Sequence, residues 1–273
     1  MPVPSRRSML LAAAAVLLAL AGVASGRGID ETRVIAVSRE EAIDSVRAFV
    51  AGTALTDDVV AEGPYDGALV RFYKVTGHHL MARVDANTGS VVGVVFLENI
   101  GQGGKVSVDS ERASVAAKAF LDDHSIGWRH LEPSIEFIDH GETAEYLLQW
   151  TRRDGDLVLP EAIYVSVDAV TGKVISFADM RRPFEAPGEP SVDRPAAIAA
   201  SVEVLRGAGV DGEVAIDAAE LRVEFAESGD QRLVWKIRAS AVVERLQQGQ
   251  EIVGHWLVEV DARSGQAKIV ARG

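Results

Sequence analysis

Three stretches of the chain alternate apolar and polar residues and then end in nearly the same six residues, Val-Asp-Ala-x-Thr/Ser-Gly. These endings are Val84–Gly89, Val167–Gly172 and Val260–Gly265. Alternation with a period of two is typical of a half-buried β-strand. A second run of strand-forming residues follows each glycine, at 91–97, 174–177 and 267–270. The pattern therefore predicts a strand, a tight turn and another strand, repeated three times.

The residues of the repeated turn have a structural explanation. An aspartate that ends a strand accepts hydrogen bonds from amide groups two or three residues later. A glycine four residues after it supplies the positive φ of a bulged hairpin turn. We therefore predict a structural role for the aspartates and glycines of the motif: Asp85, Gly89, Asp168, Gly172, Asp261 and Gly265. A calcium loop starting at Asp85 is disfavoured because its twelfth residue, Phe96, is not a glutamate.

A helix is predicted upstream of each turn. The predicted N-cap residues are Ser38, which forms a capping box with Glu41, then Asp109 or Ser110, and then Asp193. The predicted buried faces are Ile43, Val46 and Val50 in the first helix, Val115, Ala116, Ala119 and Phe120 in the second, and Ile198, Val202 and Leu205 in the third.

Another predicted strand lies between each helix and its turn, with the pattern apolar-x-aromatic at 70–72, 148–150 and 233–235. In the last two repeats a further strand precedes it, at 135–138 and 221–225. We therefore predict an α+β fold of three tandem modules, each with one helix packed on a three- to four-stranded antiparallel sheet. The predicted modules are 35–100, 105–181 and 191–273, separated by glycine- and proline-rich segments.

The first 26 residues have the layout of a secretory signal peptide: Arg6 and Arg7, an apolar run from Met9 to Ala24, and then small residues. The apolar run is shorter than the roughly 20 residues that a membrane-spanning helix needs. We therefore expect export to the periplasm or the extracellular space, with a retained N-terminal anchor as the alternative. The paired arginines leave both the general and the twin-arginine export routes open.

Composition excludes several classes of function. The 273 residues contain no cysteine, which excludes disulfides, thiolate metal sites and a cysteine nucleophile. The formal net charge of −12 disfavours a nucleic-acid-binding protein, because such proteins need a basic surface. Hydrophobic residues make up 48% of the chain, as in an ordinary globular protein.

No set of residues in the sequence indicates catalysis, a cofactor site or a metal site. His124, His130 and His140 occur in one repeat, but their polar neighbours indicate solvated loops. His78 and His79 are adjacent in a predicted strand, so their side chains point to opposite faces. The zincin motif His-Glu-x-x-His is absent. We therefore predict that the protein is not an enzyme.

The third repeat resembles a PepSY domain, through Arg232–Ile237 followed by His255–Gly265. The second repeat is similar through Leu148–Trp150 and Tyr164–Gly172, and the first mainly through its turn and helix. The resemblance covers most of residues 35–273. It implies a non-catalytic module that binds a partner, often a peptidase, and restrains it or helps it to fold. Because no zinc-peptidase motif is present in the sequence, we expect any such peptidase to be a separate chain.

The sequence thus predicts an exported protein-binding protein that regulates a secreted or envelope peptidase in trans. The docking surfaces that we expect are the open sheet faces and the sheet edges. The aromatic residues expected on an open face are Tyr73, Tyr146, Tyr164 and Trp256. The alternative is a scaffold protein of the cell envelope that binds wall or matrix polymers. Aromatic side chains aligned in one groove across the three repeats would favour that alternative.

Overall fold

The computed structural model describes residues 36–50, 59–66, 71–100, 104–141, 143–181, 184–226, 230–245 and 251–272. Within these ranges the helices are α1 Arg39–Phe49, α2 Ser110–Asp123 and α3 Arg194–Gly207. The strands are β1 Val60–Asp66, β2 Arg71–Thr76, β3 Leu80–Asp85, β4 Val91–Phe96, β5 Glu132–Asp139, β6 Ala144–Asp154, β7 Leu157–Asp168, β8 Val174–Asp179, β9 Val214–Phe225, β10 Gln231–Arg245, β11 Glu251–Asp261 and β12 Ala267–Arg272. None of the described helices is long and apolar enough to cross a membrane. The predicted signal peptide lies outside the described residues.

The twelve described strands belong to one mixed sheet, with the order β1-β2-β3-β4-β8-β7-β9-β10-β11-β12 and with β6 joining β5 to β7. The α+β class is confirmed, but the predicted arrangement of three tandem helix-on-sheet modules is wrong. The last strands of the first two repeats pair with each other, Val94 opposite Phe177. A free strand edge carries unpaired backbone groups. This pairing therefore gives hydrogen-bond partners to two strand edges that separate modules would leave exposed. The predicted boundaries of the three repeats stay a prediction.

The chain divides into two compact units. The first contains the described residues of 36–151 and 161–181, and the second those of 152–160, 184–226 and 230–272. The first two repeats contribute to one buried core, in which Val46 of α1, Leu121 of α2 and Phe177 of β8 are almost fully buried. The second unit has its own core, which includes Leu205, Trp235 and Val258.

The helices begin where the sequence predicts. Ser38 and Glu41 form the capping box of α1, and the carboxylates of Asp109 and Asp193 accept backbone hydrogen bonds at the starts of α2 and α3. The buried residues then recur at fixed distances from each cap: Ala42, Val46 and Val50; Ala113, Ala117 and Leu121; and Ala197, Ser201 and Leu205. Each helix therefore approaches the sheet with an alanine four residues after its N-cap.

A repeated set of hydrogen bonds ties each helix start to its turn. The residue before each N-cap is a valine, and its amide donates to the alanine carbonyl of the turn motif, as Val108 does to Ala169 at 3.1 Å. The carbonyl of the same valine accepts from an aromatic side chain, as Val108 does from the Tyr146 hydroxyl at 3.1 Å. The equivalent groups are Val37, Ala86 and Tyr73 in the first repeat and Val192, Ala262 and Trp235 in the third.

This set of bonds corrects the sequence alignment of the repeats. The alanine of the turn motif donates its amide to the strand residue two places before the aromatic, which is Ala144 in the second repeat and Leu233 in the third. Tyr146 is therefore the equivalent of Trp235, whereas the apolar-x-aromatic pattern had matched Trp150 to it. Trp150 lies four residues further along β6 and is fully buried.

The motif aspartates close the turns as Asx turns. Asp168 is buried, and its Oδ1 accepts from the amide of Val170 at 3.0 Å and from the amide and hydroxyl of Thr171 at 2.6 and 2.8 Å. Gly172 has a φ of +74°, and a Cβ there would lie 3.3 Å from Val108. The positive φ therefore favours glycine, and the close packing against Val108 leaves little room for a side chain.

Replacing Asp168 with alanine should destabilise the protein by about 1–2 kcal/mol, because the amide groups of Val170 and Thr171 lose their acceptor. Urea denaturation followed by circular dichroism measures this loss. Asp168→Asn keeps an acceptor oxygen at the same place and should lose less. An alanine variant as stable as the unsubstituted protein would show that the carboxylate does not hold the turn.

Candidate functional site

Three of the four aromatic residues expected on an open face are buried. Tyr73 and Tyr146 lie in the core of the first unit, and their hydroxyl groups donate to the carbonyls of Val37 and Val108. Trp256 is 4% exposed in the core of the second unit. Tyr164, on β7, is partly exposed. The expectation of an open face is therefore wrong for Tyr73, Tyr146 and Trp256, because their rings point into the cores; a role of any of the four in binding stays a prediction.

The histidines do not form a metal centre among the described residues, where no group of three or more potential metal-ligating residues is found. His124 is not a solvated loop residue. Its two ring nitrogens lie 2.7 and 2.8 Å from the carbonyl oxygens of Phe120 and Phe49, and its ring lies against both phenylalanine rings. His124 therefore joins the C-terminal ends of α1 and α2.

Strand β5 is an edge of the sheet. It pairs with β6 and with no other described strand, in an unbroken register from Glu132 opposite Thr151 to Asp139 opposite Ala144. Seven of its eight residues are exposed, although strands with one covered face normally bury every second residue. Strand β5 is regularly paired with β6 on one side, and its residues are exposed. Its other side is therefore open to a further strand.

The backbone groups of β5 alternate in direction. In the hairpin after the strand, the amide of His140 donates to the carbonyl of Thr143. In an antiparallel ladder, hydrogen-bonded pairs recur at every second residue. Ile138, Glu136 and Ser134 therefore direct their backbone groups toward β6, and the residues between them direct theirs outward. Pro133, which has no amide hydrogen, occupies one of the outward positions, where it removes no bond of the ladder.

The outward positions of β5 carry two exposed apolar side chains. Ile135 is 43% exposed and Phe137 is 46% exposed. The centroid of the Phe137 ring lies 5.2 Å from that of the buried Tyr146 ring, so one side of Phe137 packs against the core. Residues two apart lie on the same face of a strand. Ile135 and Phe137 thus form a small apolar surface beside outward-facing backbone amide and carbonyl groups.

The opposite face of β5 is acidic. Glu132 and Glu136 are exposed there. On the neighbouring strand, Glu145 is 9% exposed and pairs with the Nε2 atom of His140 at 3.2 Å. The open edge therefore presents Ile135 and Phe137 on one face, with Asp139 at the end of the strand, and the carboxylates of Glu132 and Glu136 on the other. We call the surface formed by Ile135, Phe137 and Glu136, with their backbone groups, the β5 edge.

The sheet of the second unit has a charged face opposite its helix. The carboxylate of Glu259, 4% exposed, accepts from Lys236 at 2.9 Å and lies 3.1 Å from the Nζ atom of Lys268. It also accepts from Arg232. Burial raises the pKa of Glu259, but the hydrogen bonds from Lys236 and Lys268 outweigh it, so that the pKa lies below its ordinary value. These charged groups are engaged with one another and are not free groups for chemistry.

Sequence reasoning predicted the strand at 135–138 but not its place at an edge. Two signals were present in the sequence. Pro133 stands inside the strand, and proline in a sheet is confined to edges, strand starts and bulges. Glu132, Glu136 and Asp139 give the strand a charge pattern that is also typical of edges. Neither signal predicts that Ile135 and Phe137 remain exposed.

No protein-family model matches the chain. No curated protein matches it either. Among solved structures, it is similar to the Bacillus megaterium YpeB C-terminal domain, with a TM-score of 0.49 and 14% sequence identity. That similarity covers 86% of this chain and 98% of the other. The PepSY resemblance therefore rests on the sequence motifs.

Proposed function

We propose that the protein is a non-catalytic binding protein whose β5 edge accepts an extended segment of a partner protein. The observation that carries this proposal is the open edge strand, with outward backbone groups beside the exposed side chains of Ile135 and Phe137. In strand addition, backbone hydrogen bonds supply affinity and the alternating side chains supply selectivity.

The partner that we propose is a secreted or envelope peptidase, which the protein inhibits or helps to fold in trans. Support comes from the sequence motifs that resemble PepSY modules and from the layout of residues 1–26, which is that of an export signal. A peptidase inhibitor needs no reactive groups of its own, and an edge strand offers a suitable contact for an extended segment of the enzyme.

The scaffold alternative has less support. It requires aromatic side chains aligned in a groove across the repeats. In the described part of the chain, the exposed large aromatic residues are Tyr65 on β1 and Phe137 on β5, and Trp256 of the third repeat is buried. These two residues belong to different repeats and to strands at opposite ends of the first unit's strand order, so they do not form such a groove.

The proposal is tested by titrating the purified protein against a panel of secreted metallopeptidases, with residual activity and refolding yield as readouts. We expect the activity or the refolding yield of one peptidase to change in stoichiometric proportion to the added protein. Ile135→Pro should weaken this effect at least about tenfold, because proline removes an outward amide hydrogen and its ring obstructs an incoming strand. Pro133 already occupies an equivalent position of β5.

A second variant and a control separate binding from folding. Phe137→Lys places a charge on the exposed apolar surface without changing the backbone, and should weaken the effect as well. Val115→Ala changes an exposed apolar residue on α2 and should have no effect. If all these variants act like the unsubstituted protein, β5 is not the binding edge. If no peptidase responds at micromolar excess, the proposed class of partner is wrong.

A further inference from the structure

We infer that the β5 edge selects an extended segment in which apolar residues alternate with lysine or arginine. This inference rests on the proposed strand addition and specifies its partner. It follows from the two faces of β5, which differ in chemistry. Ile135 and Phe137 lie on one face, and the exposed carboxylate of Glu136 lies on the other.

An added strand continues the pleat of the sheet, so its side chains alternate between the same two faces. Those on the face of Ile135 and Phe137 meet apolar surface, and burial of apolar surface favours apolar residues there. Those on the other face meet Glu136, with the exposed Glu132 four residues before it. Directly opposed unlike charges stabilise a strand pair, and like charges destabilise it. The apolar and the charged positions of the partner are therefore interleaved one by one.

The same charges disfavour a second copy of this chain as the occupant. Antiparallel pairing of two β5 strands with Ile135 opposite Phe137 places Glu136 of one copy directly opposite Glu136 of the other. The net charge of −12 adds a general repulsion between copies. A segment carrying lysine or arginine satisfies both faces of the edge, and a copy of β5 does not.

The test uses three capped nine-residue peptides, in which valine and threonine alternate with lysine, glutamine or glutamate, and measures their binding to the purified protein by fluorescence anisotropy. The lysine peptide should bind about tenfold more tightly than the glutamine peptide, because each lysine opposite a carboxylate of β5 adds a favourable cross-strand charge pair. The glutamate peptide should bind most weakly. The preference should shrink in 1 M salt, which screens exposed charges.

Protein variants show whether the selectivity belongs to this edge. Glu136→Lys should abolish or reverse the preference. Glu203→Lys, which makes the same change of net charge at an exposed position of α3, should leave it unchanged. Equal effects of the two variants would show a general attraction to an acidic protein and overturn the inference.

The remaining outcomes separate the inference from the proposed function. If all three peptides bind equally and Ile135→Pro weakens each of them, strand addition holds and the inferred charge selectivity is wrong. If the lysine peptide is preferred but Ile135→Pro changes nothing, it binds elsewhere and the inference is overturned. If no peptide binds at millimolar concentration, both the inference and strand addition at β5 are wrong.

Discussion

Replacing Phe177 with alanine is expected to lower the free energy of unfolding by about 3–5 kcal/mol, the usual cost of truncating a buried phenylalanine. Phe177 lies on β8, is 1% exposed and packs at the centre of an aromatic group. Its ring centroid lies 5.8 Å from that of Phe49 on α1 and 5.7 Å from that of Phe120 on α2. The substitution therefore removes contacts with helices of two different repeats.

The loss is expected to affect both of these repeats together. Phe49 and Phe120 also contact each other, with ring centroids 6.0 Å apart, and Phe96 of β4 lies against Phe120. Strands β4 and β8 are hydrogen-bonded neighbours. Their pairing and these aromatic rings belong to the same compact unit. Amide hydrogen exchange should show lower protection in β2 of the first repeat and in β6 of the second. The free energy of opening should fall by a similar amount in both strands.

Val115→Ala is the matched control, because this side chain is 63% exposed on α2 and its truncation should change the stability very little. Loss of protection in β6 alone, with β2 unchanged, would contradict a common core. That result would mean that the first repeat folds without the second, as the sequence-based expectation of separate modules implies.

Much of the local structure is encoded by short segments and could be predicted. Ser38 and Glu41 specify a capping box through their spacing alone, and Asp168 and Gly172 specify their turn in the same way. These features depend on backbone groups within a few residues of one another. A sequence pattern therefore contains nearly all the information that they need.

The buried helix faces were harder to predict because the large apolar residues misidentify them. In α2 the expected stripe included Val115, which is exposed, whereas Ala113 and Ala117 are fully buried. A helix that approaches a sheet closely has small residues at the point of contact. The most buried positions of such a helix are therefore not those with the largest apolar side chains. The spacing from the N-cap locates this face in all three helices.

The pairing of strands from different repeats was not predictable from local patterns. Val94 and Phe177 alternate in the same way whether their strands end a small module or continue a larger sheet. The outcome depends on which edges remain free after each repeat has formed its own hairpins. The same dependence applies to the candidate site, because Pro133 and the charges of β5 are typical of an edge but the order of the neighbouring strands decides that β5 is one.

Replacing Glu259 with glutamine is expected to lower the free energy of unfolding by about 3 kcal/mol at pH 7, because removal of one member of a buried ion pair leaves its partners uncompensated. Glu259 lies directly between two lysines across the strands, Lys236 on β10 and Lys268 on β12. Lys236 keeps Glu224 as a second partner at 3.2 Å. This remaining contact places the loss at the lower end of the range for a buried pair.

The loss should depend on pH in a definite direction. The pKa of Glu259 is lowered in the folded protein: burial alone raises it, but the hydrogen bonds from Lys236 and Lys268 outweigh burial. A carboxyl group whose pKa is lowered by folding stabilises the protein above its unfolded-state pKa of about 4.3, and this contribution is lost as the pH falls through the folded-state pKa. The difference between the unsubstituted protein and Glu259→Gln should therefore be largest at neutral pH and should narrow below about pH 4.

Urea denaturation at a series of pH values between 7 and 3 measures this difference, with Glu203→Gln on the exposed surface of α3 as the control. The control should stay within about 0.5 kcal/mol of the unsubstituted protein at neutral pH. A constant difference between Glu259→Gln and the unsubstituted protein at all pH values would show that the loss comes from packing rather than from charge. The direction of the pH dependence thus distinguishes a carboxylate held by its cations from one that merely fills space between the strands.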